Sequence, residues 1–382
     1  MSVDARPGPL HAEHVSLGAT LTPYAGWMMP LRYASDLVEH RVVRSTAGLF
    51  DLSHMGEIAV HGPGAGRALD LALVGYLSRL DVGRARYTMI CTDDGGVIDD
   101  LVVYRTGDME YLVVANAANA AVVLGELEAR CAGGPGVTVS DVGATTALIA
   151  VQGPAAERIV AAMIDDDDER GAVGALRYYA CTTAAVGGVP AMVARTGYTG
   201  EDGFELFVAA DDASQVWTTA LDVGRASGLV PTGLACRDSL RLEAGMPLYG
   251  QELDRTTTPY DAGLGRVVRL DKADGDGSPL PFVGRDALAA RAAGEPERVL
   301  VGLRGLGRRA ARAGYPVHSA SGAVVGRVTS GAPSPTLGYP IAMAYVTPDV
   351  VEPGTELSVD VRGRSEPFRV VPLPFYRRPS SS

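Results

Sequence analysis

Two short stretches decide the fold of this chain: IAVHGPGA at residues 58–65 and IAVQGPAA at residues 149–156. Each begins as an apolar strand, turns at a Gly-Pro pair and runs into an apolar helical pattern, at 67–74 in the first copy and 158–163 in the second. The copies lie 91 residues apart. One short match of this kind could arise by chance, so the features around it decide whether the chain is duplicated.

The similarity between the copies continues outward in the same order. Each copy goes on to a Gly-Gly-Val turn, at 95–97 and 187–189, then to an alternating strand that ends in Arg-Thr-Gly, a further strand and a helix. We therefore predict an α+β fold with duplicated β-α-β-β-α-like units, in halves of about 50–135 and 140–225. A cleft between two such halves is a natural ligand site.

The pattern changes in the last quarter of the chain. Turn-forming residues at 273–279 indicate a linker, and beyond residue 297 short strands alternate with Gly and Pro. Closely spaced strands of this kind predict a small barrel or sandwich. We place one domain at 9–272 and a C-terminal β-barrel domain at 296–377.

Composition excludes several classes of protein. The net charge of −11 disfavours nucleic acid as a partner. No apolar run reaches the roughly 18 residues of a membrane span, and the first residues lack the apolar core of a secretory signal, so we expect no membrane association and a cytoplasmic location. The four cysteines show no CxxC spacing, which argues against a zinc site and fits a reducing compartment.

Three segments have residues suited to chemistry, and each has a plainer explanation. Asp99 and Asp100 precede an apolar strand, so one carboxylate should face the interior and the other the solvent. The plainer alternative is a turn at the start of the strand in which both acids are solvated. The glycine-rich segment 196–205 offers Glu201 as a bidentate acceptor, or is a hairpin turn. Arg237 and Arg241 share a helix face, which suits either a carboxylate substrate or a solvated helix.

Two further patterns suggest chemistry but fit packing better. His61–Gly66 lies between a strand and a helix, yet lacks the spacing of a phosphate-binding loop. Ser53 and His54 are adjacent on a strand and point to opposite faces, and there is no nucleophile elbow, so we favour packing or ligand lining over a hydrolase.

The chain resembles the aminomethyltransferase family, the T-proteins of the glycine cleavage system, over about residues 10–377. The matching segments are YAGWMMP (24–30), FDLSHMGE (50–57), GGVIDDL (95–101), RTGYTGEDG (195–203), RDSLRLEAGMPLYG (237–250), TSGAPSPTLG (329–338) and LPFY (373–376). The resemblance implies transfer of the methylene carbon from the S-aminomethyldihydrolipoyl group of H-protein to tetrahydrofolate, a co-substrate, without metal or PLP.

The resemblance also implies roles for individual residues. Asp100 is similar to the family's catalytic carboxylate, near folate N10, where it would orient the attacking amine and stabilise developing positive charge. Glu201 looks like the clamp on the pteridine N–H groups, and Arg237 like a binding-site cation. Other residues are expected to line the folate pocket: Met55, Tyr87, Val114, Asn116, Tyr198 and Tyr376.

Departures from the family pattern occur at 74–76, Cys236 and Arg266, and none of them replaces Asp100, Glu201 or Arg237. Two other functions remain compatible with this scaffold: a folate-dependent demethylase and a non-enzymatic folate-binding protein. A locally basic stretch at 304–312 would suit an acidic carrier protein, although a solvated loop is the favoured explanation.

Overall fold

The computed structural model describes residues 5–379. The first four residues, part of the argument against a secretory signal, lie outside the described residues. In the described part the helices are α1 (His11–Ser16), α2 (Asp36–Ser45), α3 (Ala65–Ala72), α4 (Ala120–Cys131), α5 (Ala156–Ala162), α6 (Asp167–Gly174), α7 (Ala213–Gly224), α8 (Leu234–Glu243) and α9 (Arg285–Ala293). The strands are β1 (Arg6–Pro7), β2 (Thr20–Tyr24), β3 (Trp27–Arg32), β4 (Ala47–Asp51), β5 (Gly56–His61), β6 (Arg84–Cys91), β7 (Val97–Gly107), β8 (Glu110–Ala115), β9 (Thr138–Asp141), β10 (Thr146–Gln152), β11 (Cys181–Val186), β12 (Val189–Ala194), β13 (Gly203–Ala209), β14 (Leu229–Pro231), β15 (Val299–Gly305), β16 (Pro316–His318), β17 (Val324–Pro333), β18 (Pro340–Val346), β19 (Glu356–Asp360) and β20 (Ser365–Val371).

These elements group into two compact units. The first contains the chain as far as Thr88 and then Leu101–Arg237. The second contains Met89–Asp100 and the chain from Asp238 onward. The division passes through β6, β7 and α8, so it differs from a simple cut at a linker. The domain limits 9–272 and 296–377 stay predictions.

The duplication appears as two sheets with matching strand order. One runs β6-β7-β8-β5-β9 and the other β11-β12-β13-β10-β4-β14. Each repeat has one strand more than predicted, β6 or β11, because the segment before the Gly-Gly-Val turn is itself a strand. The α+β class is confirmed.

The repeats exchange their leading strands. β9, which precedes the second repeat, pairs antiparallel with β5 of the first (Ile58 opposite Asp141). β4, which precedes the first repeat, pairs antiparallel with β10 of the second (Ile149 opposite Asp51). Neither half is therefore a complete sheet by itself.

The Gly-Pro turns that mark the duplication hold these exchanged strands. Gly62 and Gly153 have φ of +119° and +137°, a region that L side chains rarely adopt. A Cβ on Gly62 would lie 1.9 Å from the carbonyl oxygen of Gly136, shortly before β9. A Cβ on Gly153 would lie 2.4 Å from the carbonyl oxygen of Thr46, directly before β4. Only glycine permits this close approach of backbones at both turns.

Apolar periodicity explains how the helices pack. In α3 the buried apolar residues follow the i, i+3, i+4, i+7 pattern of an amphipathic helix: Ala65, Ala68, Leu69 and Ala72. One apolar core of the first unit is centred on the second sheet and includes the fully buried Trp217 of α7. No helix in the described part of the chain is long and apolar enough to cross a membrane.

The C-terminal strands close into a barrel, as predicted, in the order β15-β18-β17-β16-β19-β20. β18 is buried along its whole length because both of its faces are covered. Ala342 and Ala344 face the barrel core, whereas Ile341 and Met343 pack with Leu242 of α8.

Candidate active site

The Asp99–Asp100 pair lies at the start of β7 in the second unit. Asp99 is fully buried, whereas Asp100 is partly exposed, so the predicted alternation of the two carboxylates is confirmed. The preceding glycines allow another segment to approach, since a Cβ on Gly96 would lie 2.0 Å from the carbonyl oxygen of Arg255. The amide of Val97 donates to the carbonyl of Thr257 at 2.9 Å. Asp100 is thus the more accessible carboxylate of the pair.

The glycine-rich loop after β12 is held by Gln152 of β10. Its Nε2 donates to the carbonyl of Thr196 and its Oε1 accepts from the hydroxyl of Thr199, both at 3.0 Å. Gly197 and Gly203 press against this amide: a Cβ would lie 2.0 Å and 2.3 Å, respectively, from its nearest atom. The glycines of this motif are therefore required for close packing on a buried amide.

Glu201, on the same loop, forms an ion pair with Arg44 of α2. Nη1 of Arg44 donates to Oε1 of Glu201 at 2.9 Å and to the carbonyl of Thr199 at 2.7 Å. The side chains are only 8% and 3% exposed, so the pair is shielded from solvent. One carboxylate oxygen of Glu201 is therefore already committed to the protein.

Arg237 lies above the ring of Tyr198, with its guanidinium carbon 4.8 Å from the ring centre. Burial lowers the pKa of Arg237, while Tyr198, Glu205 and Tyr24 act in the opposite direction. An arginine with a lowered pKa still carries its charge at neutral pH. The cluster thus presents a fixed cation beside aromatic rings and a carboxylate.

Glu205 of β13 completes this cluster in the first unit. Its Oε2 accepts from the hydroxyls of Tyr104 (3.1 Å) and Thr196. The Tyr104 and Thr196 hydroxyls are 3.0 Å apart. Since Tyr104 belongs to the first repeat and Glu205 to the second, this network joins the two sheets.

His54 contributes a buried neutral imidazole near Arg237. Burial, and then the charge of Arg237, lower the pKa of His54 to about 4, although Asp51 opposes them. The ring packs edge-to-face on Tyr24 at 5.6 Å, and its Nδ1 is buried without a hydrogen-bond partner among the described residues. His54 is therefore neutral at physiological pH.

Three of the predicted lining residues meet at one end of the β5–β8 pair. Gly56 is opposite Ala115 at the end of this ladder, which places Met55 and Asn116 just beyond it. Val114, 7% exposed, is the neighbouring ladder position. Tyr87 lies on β6 and is partly buried.

The second arginine of the α8 motif has a different environment. Arg241 is 2% exposed; its guanidinium donates to Asp238 and Glu252 and to the hydroxyl of Ser330, at 2.8 to 2.9 Å. Glu243, at the end of α8, accepts from the amide of Thr336 at 3.0 Å and from its hydroxyl at 2.7 Å.

Tyr376 follows the last barrel strand. Its amide donates to the carbonyl of Glu243 at 2.8 Å, and its side chain is partly exposed. This bond fixes the C-terminal segment on α8 in the second unit.

The sequence did not single out Glu205 and Tyr24 as neighbours of Arg237, or Tyr104 and Thr196 as partners of Glu205. Glu205 follows the quoted RTGYTGEDG segment by two residues, and its position on an alternating strand was the available signal. Among residues 5–379 no group of three or more His, Cys, Asp or Glu side chains is arranged to hold a metal ion.

Comparison with known proteins defines the class of protein to which this fold and this cluster belong. Residues 10–272 match the model of the GCVT N-terminal domain, and residues 298–377 match that of the glycine cleavage T-protein C-terminal barrel domain. The chain belongs to the glycine cleavage T-protein family, which confirms the resemblance found in the motifs.

Particular relatives carry the same description. An aminomethyltransferase of Saccharopolyspora erythraea is 58% identical over 98% of each chain. One of Streptomyces avermitilis is 59% identical over 97% of each. The crystal structure of glycine cleavage system aminomethyltransferase T from Bartonella henselae aligns with a TM-score of 0.88 at 34% identity, covering 98% of this chain and 99% of that one.

Proposed function

We propose that the chain is an aminomethyltransferase of the glycine cleavage system. It transfers the methylene carbon of S-aminomethyldihydrolipoyl H-protein to tetrahydrofolate, giving 5,10-methylenetetrahydrofolate, ammonia and dihydrolipoyl H-protein. The observation that carries this proposal is end-to-end similarity, at 58% and 59% identity, to relatives described as aminomethyltransferases. The reaction requires no resident metal or PLP, with tetrahydrofolate as co-substrate.

Asp100 is the proposed catalytic carboxylate. Its partial exposure supports this role over the fully buried Asp99, because a group that acts on substrate must reach it. As an anion beside the folate amine, it would orient the attacking nitrogen and stabilise the cationic carbon formed as the C–S bond breaks. It does not act as a nucleophile.

Folate binding is assigned to the aromatic and charged residues described above. Arg237, fixed over the ring of Tyr198, provides the cation, and Glu201 is the proposed acceptor for pteridine N–H groups through the oxygen not used by Arg44. The remaining proposed contacts are Met55, Tyr87, Val114, Asn116 and Tyr376. We place the reaction in the cytoplasm, which is supported by four buried cysteines whose spacing does not indicate a disulfide framework.

The test is turnover of aminomethylated H-protein by the variant Asp100→Asn. We expect kcat to fall by about 10²–10⁴, the range for loss of a positioned acid–base or charge-stabilising group, with the Kd for tetrahydrofolate within about tenfold of wild type. Asp93→Asn, an exposed acid in the preceding turn, is the matched control and should retain full activity.

Two outcomes contradict the proposal. Wild-type turnover by Asp100→Asn would remove Asp100 from the mechanism. Absence of methylenetetrahydrofolate formation by the wild-type chain, with demethylation of a small methyl donor instead, would replace the aminomethyltransferase with a demethylase.

A further inference from the structure

The barrel has a pocket of about 400 Å³ with a strongly basic rim. The residues that line it are Arg309, Ala310, Arg312, Tyr315, Pro333, Val361, Arg362 and Arg364. Four of these eight are arginines and none is acidic. The four arginines come from two loops, one between β15 and β16 and the other between β19 and β20. On a chain with a net charge of −11, this is a concentrated positive surface.

The structure revises the basic stretch recognised in the sequence. Arg309 and Arg312 belong to the pocket, but Arg304 is stacked on Tyr339, with its guanidinium 4.2 Å from the ring centre, and does not line it. The turn between β19 and β20, far away in sequence, contributes the other two arginines. Folding therefore concentrates charges that the sequence distributes over two segments.

Internal pairing neutralises only part of this charge. Nη1 of Arg309 pairs with Oε1 of Glu366 at 2.6 Å, and Nη1 of Arg312 donates to the carbonyl of Gly331 at 3.0 Å. Across the described residues, the guanidiniums of Arg362 and Arg364 have no ion-pair partner, and both side chains are exposed. These two charges are available to an anionic ligand.

The position of Arg362 has a conformational cost. Val361 and Arg364 exchange backbone hydrogen bonds of 2.8 and 3.3 Å, while Arg362 and Gly363 have φ of +55° and +80°. This is a two-residue type I′ hairpin turn, in which Asn or Asp normally stands first. Arginine there is unfavourable for the turn, so its presence at the pocket rim indicates a role outside the hairpin.

We propose that this arginine pocket docks an acidic face of the lipoyl-bearing carrier protein. The inference rests on the proposed function, because the carrier is the macromolecular substrate of that reaction. Exposed guanidiniums at a rim favour a protein surface, since rim charges act mainly by steering a partner of opposite sign and setting its orientation. Because two chains of net negative charge repel each other, a local positive patch is most useful to this chain when its partner is also anionic.

The experiment uses the full-length double variant Arg362→Asp/Arg364→Glu. Asp-Gly is a favoured type I′ pair, so the turn should form as well as or better than in wild type, and the charge of the rim is reversed. Arg225→Glu is the control. Arg225 is an ordinary surface arginine of the first unit, with an 82% exposed side chain that pairs with Asp222.

At low ionic strength we expect the KM for aminomethylated carrier to rise about tenfold in the double variant. The KM for tetrahydrofolate and kcat should stay within about twofold, and the thermal midpoint should not fall. At about 0.5 M salt the difference should shrink below about threefold, because the screening length drops to a few ångströms. Arg225→Glu should match wild type throughout.

A direct binding measurement separates this inference from the function. Immobilised carrier is titrated with wild-type and variant chains in the Asp100→Asn background, where no turnover occurs. Equal affinities of both chains overturn the docking inference alone, whereas no affinity of either chain for the carrier contradicts the proposed function. Loss of inorganic phosphate binding in the variant, with carrier affinity unchanged, would make the pocket a small-anion site and also overturn the proposal.

Discussion

Replacing Glu201 by alanine removes one member of the shielded pair with Arg44 and tests how much of this loop is structural. At 2.9 Å and an effective dielectric constant of about 20, the attraction between the two charges is about 5–6 kcal/mol, and desolvation of both groups offsets much of it. Removing one partner leaves a buried charge uncompensated, which typically costs about 3–5 kcal/mol. Arg44 would retain its bond to the carbonyl of Thr199, so we expect about 3 kcal/mol.

Urea unfolding followed by tryptophan fluorescence measures this cost. Trp27 and Trp217 both lie in the first unit, so the signal reports the unit that contains the pair. Arg44→Ala/Glu201→Ala should destabilise little more than either single variant, because the charges are coupled. Glu157→Ala is the control: its side chain, paired with Arg195, is 51% exposed, and its loss should cost less than about 1 kcal/mol.

The pteridine role of Glu201 is tested separately with Glu201→Gln, which retains an oxygen acceptor for Arg44. If Glu201 clamps the pteridine, the Kd for tetrahydrofolate should rise more than about tenfold, because the acceptor loses its charge. A destabilisation of Glu201→Ala below about 1 kcal/mol would refute the buried-pair reasoning. Unchanged folate affinity in Glu201→Gln, with loss of affinity in Glu205→Gln, would move the clamp to Glu205.

Two further predictions concern stability. Gly203→Ala should destabilise the first unit by about 2–3 kcal/mol, because its Cβ would displace the buried Gln152 amide. Gly125 is exposed in α4 with open space around it, so Gly125→Ala should stabilise the unit by up to about 1 kcal/mol. The midpoints of urea unfolding test both expectations. Burial, and then Asp141, raise the pKa of Glu57 to about 9, above its unfolded value of 4.5, so its contribution to stability is fully present below about pH 4.5 and falls as pH rises toward about 9. The urea midpoint of Glu57→Gln should therefore depend less on pH than that of wild type between about pH 4.5 and 9. The same pH dependence in both would mean that Glu57 is already ionised in the folded chain.

Much of the architecture follows from local pattern. The Gly-Pro turns, the Gly-Gly-Val turns and the alternating strands specify the duplication, because backbone conformation at such positions depends on the residue itself. The barrel is likewise predictable from short strands and turns. Strand exchange is not, because β4 and β9 carry no mark that shows which of two similar sheets will pair with them.

The chemistry-bearing residues divide in the same way. Spacing on α8 places Arg237 and Arg241 on one helix face, yet Arg241 is bound by Asp238, Glu252 and Ser330, whereas Arg237 lies over Tyr198. The motif of Glu201 indicates a functional carboxylate, but its pairing with Arg44 depends on a residue 157 positions away. Such partners are set by packing over long sequence distances.

Asp100 shows both contributions within one strand. By itself the sequence determined that Asp99 and Asp100 face opposite ways, because side chains alternate along a strand, and its motifs determined the family. Only the tertiary structure decided which of the two is buried, which carboxylates are already paired, and that arginines from two distant loops meet at one pocket. The reason is that burial and electrostatic pairing depend on neighbours that local sequence does not specify.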